Sequence, residues 1–287
     1  MLNRRDLVMA SAALPFAPAA RVRSTPFAAL EAKHGGRLGV AALDTGSGKR
    51  LAFRAGERFP MCSTFKLLLV GLVLHRVDKQ KEALSRRVAY TARLFPPGEF
   101  YAPVTRAHLR ERGMSVEALC AAAIEWSDNG AANLLMEQVG GPPALTAYVR
   151  TLGDPVTRLD HVEPALNSAT PGDPRDTTTP DAMLRDLQHL ALGNALTADS
   201  RTRLLGWLKG CKTAGGRIPA GLPQGWMSGD KTGTGAMNTA NDVAIVWPLR
   251  RAPILIAAYY TGSRLYPESR DAVLAEVGRI VAKSFAG

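Results

Sequence analysis

Two apolar stretches, residues 39–43 and 50–53, flank Asp44-Thr45-Gly46-Ser47-Gly48, a run of turn formers, and together predict a β-hairpin. From Ser63 the pattern becomes helical. Leu67 to Leu74 are almost wholly apolar, as expected of a helix buried on nearly every side. Further helical patterns cover 115–139, 143–152, 180–192 and 198–210, punctuated by Gly140-Gly141-Pro142-Pro143 and by Asp-Pro pairs. Strand character returns late. Residues 242–247 and 254–260 are rich in β-branched and aromatic side chains, 248–253 link them, and 269–285 read as a closing amphipathic helix. Strands at both ends of a long helical middle imply an all-helical lobe, residues 61–211, inserted into an α/β lobe made of 25–60 and 212–287. The late strands complete an antiparallel sheet, and a cleft lies between the lobes, where ligand sites favour such junctions.

The composition adds limits to this picture. With 287 residues, 46% hydrophobic and 21% charged, the chain is an ordinary soluble globular protein rather than a disordered or repetitive one. Residues 1–19 stand apart: Arg4-Arg5 precede an apolar run from Leu7 to Phe16, and Ala17-Pro18-Ala19 supply small residues for cleavage. This reads as an export signal, by the twin-arginine or the general secretory route, to the periplasm. The run is shorter than the ~20 residues needed to span a bilayer, so no stable membrane anchor is expected. The formal charge of +11 becomes +10 once Arg4, Arg5 and Asp6 leave with the signal. Nucleic-acid binding would call for clustered Lys/Arg with a recognised fold or interleaved aromatics. Here the charges are spread and aromatics are 6%, so the basic surface reads as a solvated one that can steer anions. Five histidines show no ligand spacing, and neither a metal nor another cofactor is expected.

The chemistry lies in four short segments: Ser63-Thr64-Phe65-Lys66, Ser127-Asp128-Asn129, Glu163-Pro164-Ala165-Leu166-Asn167 and Lys231-Thr232-Gly233. On a helix, Ser63 and Lys66 share a face, with Cβ atoms roughly 5–6 Å apart. A lysine can take a serine proton once burial and neighbouring charge lower its pKa, and the apolar flanks place Lys66 beside a core. Ser63 at the first turn would also direct its N–H outward, as half of an oxyanion hole. Taken singly, Ser-x-x-Lys also fits a cap followed by a surface lysine, and Ser-Asp-Asn fits a turn. In this order, the four supply a nucleophile, proton carriers, a second base and an anion clamp: the parts for acyl transfer followed by hydrolysis.

That combination resembles the class A serine β-lactamases, over nearly the whole mature chain. The resemblance implies a five-stranded antiparallel sheet flanked by helices, a monomer, and hydrolysis of penicillins and cephalosporins through a Ser63 acyl-enzyme, with antibiotic resistance as the outcome. It gives Ser127 the proton delivered to the departing nitrogen, and Asn129 the substrate amide. Thr234 N–H becomes the second oxyanion donor. Lys231, Thr232, Gly233 and Thr234 hold the substrate carboxylate, Tyr101 forms part of the cleft wall, and Glu163 with Asn167 holds the hydrolytic water. Asp128 is structural, and Asn241-Asp242 flank the late strands. Either Lys66 or Glu163 acting through water can begin acylation. Penicillin-binding peptidases and β-lactam sensors share the serine and lysine motifs but have no use for Glu163-x-x-x-Asn167, and remain the alternative reading.

Departures from the family pattern carry further expectations. Where many members place an arginine, this chain has Ala240, and Arg217 stands at the alternative position, either gripping the substrate carboxylate or lying exposed. His161 replaces an arginine that would pair with Asp176, which predicts a looser loop unless Arg158 or packing substitutes. The family's bridging partners of Cys120 and Cys62 are here Val70 and Gly235, so Cys62, Cys120 and Cys211 are expected to be free, partly buried thiols.

Overall fold

The computed structural model of the chain describes residues 25–286, and the export signal expected over 1–19 lies outside them. Helix α1 (Pro26–His34), capped by the Thr25 hydroxyl, leads into the hairpin of β1 (Arg37–Asp44) and β2 (Arg50–Phe53). After β3 (Phe59–Pro60), a 3-10 turn at Cys62–Thr64 feeds α2 (Phe65–Asp78). Next come β4 (Arg87–Ala89), α3 (Pro103–Ala107), β5 (Gly113–Ser115), α4 (Val116–Glu125), α5 (Asn129–Val139) and α6 (Gly141–Thr151). The return leg holds β6 (Thr177–Thr178), α7 (Pro180–Ala191) and α8 (Ala198–Lys209). Strands β7 (Met227–Gly235), β8 (Thr239–Trp247) and β9 (Ile254–Thr261) and helix α9 (Pro267–Phe285) end the chain.

The five long strands form one antiparallel sheet in the order β2-β1-β9-β8-β7. Its two faces are read by the two-residue period of a strand. Tyr259, Ala257 and Leu255 of β9 join Val243 and Ile245 against the helical side, where α7 packs. Tyr260, Ala258 and Ile256 join Val40 and Ala42 on the other face, against α1 and α9. Both faces are therefore covered, and β9 is buried along its whole length, which is why it reads as an unbroken apolar run. Helix α2 is buried continuously from Phe65 to Leu74, including Lys66. At Gly71 a Cβ would fall 2.8 Å from Leu190 of α7, so the glycine lets these two helices approach.

Three boundaries differ from the sequence reading. The helix expected over 115–139 is two helices, because Ser127 adopts φ +56° and Asp128 caps a new start through its bond from Ala131 N–H. Strand β8 begins at Thr239, so Asn241 and Asp242 lie within it rather than flanking the strands. Polar residues hid that extension, yet both side chains are fully buried. The segment 61–211 also carries a short β4–β5 ribbon beside its helices.

Candidate active site

The nucleophile region is fixed from two sides. Asn241 of β8 donates its amide to the carbonyls of Pro60 and Met61, at 2.8 and 3.0 Å, tying the chain before Ser63 to the sheet. Cys62 then takes φ +46°, a left-handed conformation unusual for a side chain of its kind, and turns Ser63 into the start of α2. Gly233 and Gly235 of β7 pass close by. A Cβ on Gly235 would sit 2.6 Å from Cys62 Sγ and 2.9 Å from the Asn167 carbonyl, so a side chain here would force this strand and the loop apart. Ala236 N–H donates to that same carbonyl at 2.9 Å and links β7 to the glutamate-bearing loop.

Lys66 Nζ is fully buried, with five oxygens within reach: Ser63 Oγ at 2.9 Å, the Ser127 carbonyl at 2.8 Å, Asn129 Oδ1 at 2.6 Å, Glu163 Oε1 at 2.9 Å and, more distant, Ser127 Oγ at 3.5 Å. An ammonium has three protons, so it cannot donate to all five at once. The Ser63 hydroxyl has its own acceptor, Glu163 Oε1, at 3.0 Å. Burial pulls the Lys66 pKa below the ordinary lysine value, and the Glu163 carboxylate works against that pull. The serine proton thus has an amine and a carboxylate as neighbours.

Lys231 is also fully buried, donating to Ser127 Oγ at 3.0 Å and to the Thr232 carbonyl at 2.8 Å. Burial, followed by the like charge of Lys66, lowers its pKa to about 7. The two lysines therefore bracket Ser127. Asp128 anchors the Ser-Asp-Asn turn by accepting from Val104 and Thr105 N–H and from the Thr105 hydroxyl, at 2.8 to 3.0 Å. Asn129 N–H donates to the Tyr101 carbonyl at 2.9 Å, while the Tyr101 ring stays exposed.

Glu163 is buried and reached from the loop side by Asn167 Nδ2, 2.5 Å from Oε2. Asn167 Oδ1 has no hydrogen-bond partner among the described residues, which leaves it open to accept from a water. Asn133 clamps the backbone of Glu163 from α5, accepting from its N–H at 3.0 Å and donating to its carbonyl at 2.9 Å. Sequence reading missed Asn133. The available signal was its place four residues after Asn129, on the same helical face.

Arg217 is buried, which removes the reading of an exposed surface arginine. Its guanidinium donates to the Gly233 and Asn241 carbonyls, and its Nη2 lies 2.7 Å from Thr234 Oγ1. Thr213 Oγ1, another residue missed from sequence, lies 2.5 Å from Thr232 Oγ1. His161 keeps hold of Asp176, with Nδ1 2.6 Å from Oδ2, while its N–H and that of Asp160 bond Oδ1. Arg158 pairs with Asp160 instead and does not replace that contact. All three cysteines are free, with Cys62 and Cys120 buried and Cys211 partly exposed.

A model of the β-lactamase enzyme family matches residues 23–285. β-Lactamase CTX-M-25 of Escherichia coli is 45% identical over 276 residues, covering 96% of this chain and 93% of its own. The carbapenem-hydrolyzing β-lactamase KPC of Klebsiella oxytoca is 46% identical over 256 residues, covering 89% of this chain and 86% of its own. An ancestral class A β-lactamase of solved structure superposes with a TM-score of 0.88 at 55% identity, covering 91% of this chain and 99% of its own. The chain belongs to the class A β-lactamases.

Proposed function

We propose that this enzyme hydrolyses the β-lactam amide of penicillins and cephalosporins, as a monomer acting in the periplasm, and so confers resistance. The observation that carries this reading is the placement of Ser63 Oγ between Lys66 Nζ and Glu163 Oε1, at 2.9 and 3.0 Å. Lys66 or a Glu163-bound water takes the serine proton, and Ser63 attacks the lactam carbonyl. The developing oxyanion is held by the N–H groups of Ser63 and Thr234. Ser127, between the two lysines, passes a proton to the departing ring nitrogen. The substrate carboxylate meets Lys231, Thr232 and Thr234, with Gly233 giving close backbone approach. Arg217, paired with Asp271 at 3.3 Å, donates to Thr234 Oγ1 and acts as a positioning residue beneath the strand. Asn129 binds the side-chain amide and Tyr101 walls the cleft. Glu163 and Asn167 then direct water onto the ester, the step that separates a hydrolase from a peptidase that β-lactams inhibit. Among the described residues no helix is long and apolar enough to cross a membrane. The deciding measurement is turnover of a chromogenic cephalosporin followed by intact-mass analysis; rapid turnover is expected, and an inert native protein would reject the reading.

The lowered pKa of Lys231 gives a pH dependence with a definite sign. Free enzyme loses the Lys231 charge as pH rises through about 7, so its attraction for a substrate carboxylate weakens. For anionic substrates, kcat/KM should therefore fall on the alkaline side. In Lys231→Arg protein, whose guanidinium stays charged, that decline should be absent. An alkaline limb identical in both proteins would assign the titration to another group.

His161 bears on substrate range. An arginine could grip Asp176 bidentately, whereas the imidazole offers one ring nitrogen, at 2.6 Å. In His161→Arg protein, kcat/KM for a bulky oxyimino-cephalosporin is expected to fall roughly fivefold, equivalent to about 1 kcal/mol of added loop order. Efficiency on a small penicillin should hold. Equal or higher efficiency on the bulky substrate would show that the loop is no looser for having histidine.

A further inference from the structure

A cavity of about 650 Å³ opens behind the glutamate-bearing loop, bounded by the outer half of that loop, residues 168–175, and by the ends of β1 and β9. None of Ser63, Lys66, Ser127, Glu163 or Lys231 lines it. We propose that this cavity binds a small amphiphilic anion, an apolar chain or ring carrying one carboxylate or sulfonate, and that its occupancy tunes turnover at Ser63. The second half of the proposal rests on the β-lactam reading above; the first does not.

The volume lies within the range of small-molecule sites, roughly 300–1,000 Å³. Its walls are largely apolar, built from Pro60, Leu166, Pro171 and Met237. Three arginines, Arg37, Arg58 and Arg175, line it, with Asp173 the one acidic residue beside them. Two of the three are already engaged by acids: Arg37 pairs with Glu57, and Arg175 with Asp173. Arg58 has no carboxylate partner among the described residues. Its Nη1 donates to the Val156 carbonyl and to Thr177 Oγ1, each at 3.0 Å, while Nε and Nη2 make no hydrogen bond to described residues. An arginine edge with two free donors matches the paired oxygens of a carboxylate or sulfonate. Apolar walls with one unpaired cation select an amphiphile rather than inorganic phosphate.

The link to catalysis is covalent and short. Leu166, which lines the cavity, sits between Glu163 and Asn167 in one 3-10 turn, Ala165–Asn167. Met237 follows Ala236, whose N–H holds the Asn167 carbonyl at 2.9 Å. A ligand pressing on these walls acts on the side chains that direct water, and so on deacylation rather than on substrate binding.

The test titrates full-length protein with anilinonaphthalene sulfonate, read by fluorescence, beside chromogenic cephalosporin kinetics. Native protein should bind one equivalent saturably, with unchanged affinity after Ser63 is acylated in Glu163→Ala protein. Arg58→Glu should weaken binding at least about tenfold, and Arg58→Lys, which keeps the charge but not the paired donors, should fall between native and Arg58→Glu. Because Arg58 also ties two segments together, Ala169→Trp supplies an independent variant: it fills the cavity, leaves Arg58 in place, and should abolish binding. Saturating probe should change kcat and KM in the same direction and leave kcat/KM nearly unchanged, as an effect confined to deacylation requires. Absence of saturable binding, displacement on acylation, or binding untouched by Ala169→Trp would overturn the site. Purely competitive inhibition would overturn its proposed effect on turnover. A protein inert toward cephalosporins would reject the β-lactam reading while leaving the binding result intact.

Discussion

Glu163→Ala protein is expected to stall with Ser63 esterified, its steady turnover reduced by about 10²- to 10⁴-fold, the usual contribution of a positioned general base. The expectation follows from what the carboxylate touches. Its Oε2 is held by Asn167 Nδ2, and its Oε1 accepts from Ser63 and Lys66, so it reaches both the reacting oxygen and the side where Asn167 can hold a water. Removing it also removes the group that opposes the lowering of the Lys66 pKa by burial. Lys66 then loses its proton more readily and can still serve Ser63, so acylation should outlive deacylation. Intact-mass analysis should show the adduct accumulating and persisting, whereas native protein should return to its unmodified mass. The rate at which the adduct forms bears on the choice of acylation base: near-native formation favours Lys66, and slow formation favours Glu163 through water. Glu163→Gln, closer in shape, guards against a trivial folding defect from the unpaired lysine. Native-like turnover in both variants would remove Glu163 from the water-directing role.

Lys231→Ala should cost about 10²- to 10³-fold in kcat/KM toward anionic β-lactams, comparable to the loss of one preorganised electrostatic donor, about 2.7–4 kcal/mol. Two effects combine. The substrate carboxylate loses its nearest cation, and Ser127 Oγ loses the ammonium that holds it at 3.0 Å. Binding and acylation should weaken together, raising KM and slowing formation of the ester. Lys231→Arg should retain more activity than Lys231→Ala, because charge is kept even though the donor geometry differs. Stopped-flow acylation measured beside steady-state kinetics separates the two effects; no measurable loss in either would place Lys231 outside the anion clamp.

Much of this site could be read from the sequence because its chemistry is local. Ser63 and Lys66 lie one helical turn apart, and the apolar run after them announced that the lysine would be buried. The hairpin and late strands were equally plain, since apolar stretches bounded by turn formers leave few other arrangements. What escaped were contacts made by polar residues inside secondary structure. Asn241 and Asp242 looked like the end of a strand because burial of such groups depends on partners elsewhere in the chain, namely the Pro60 and Met61 carbonyls and the Ile218 N–H. Asn133 escaped for the same reason, its partner being the Glu163 backbone thirty residues later. The break at Ser127 was a matter of backbone geometry: a left-handed serine followed by an aspartate cap ends one helix and starts another without glycine or proline.

The pairing of β1 with β9 has a consequence for biosynthesis. Arg37 meets Thr261 and Asp44 meets Ile254, so the hairpin leaves the ribosome about two hundred residues before the strand that covers its open edge. Until the last tenth of the polypeptide has been translated, that edge is a template for wrong partners. A nascent chain of this design must either be kept unfolded by holdase chaperones or mature only after release, and translation stalls late in the message would yield aggregates instead of a smaller working enzyme.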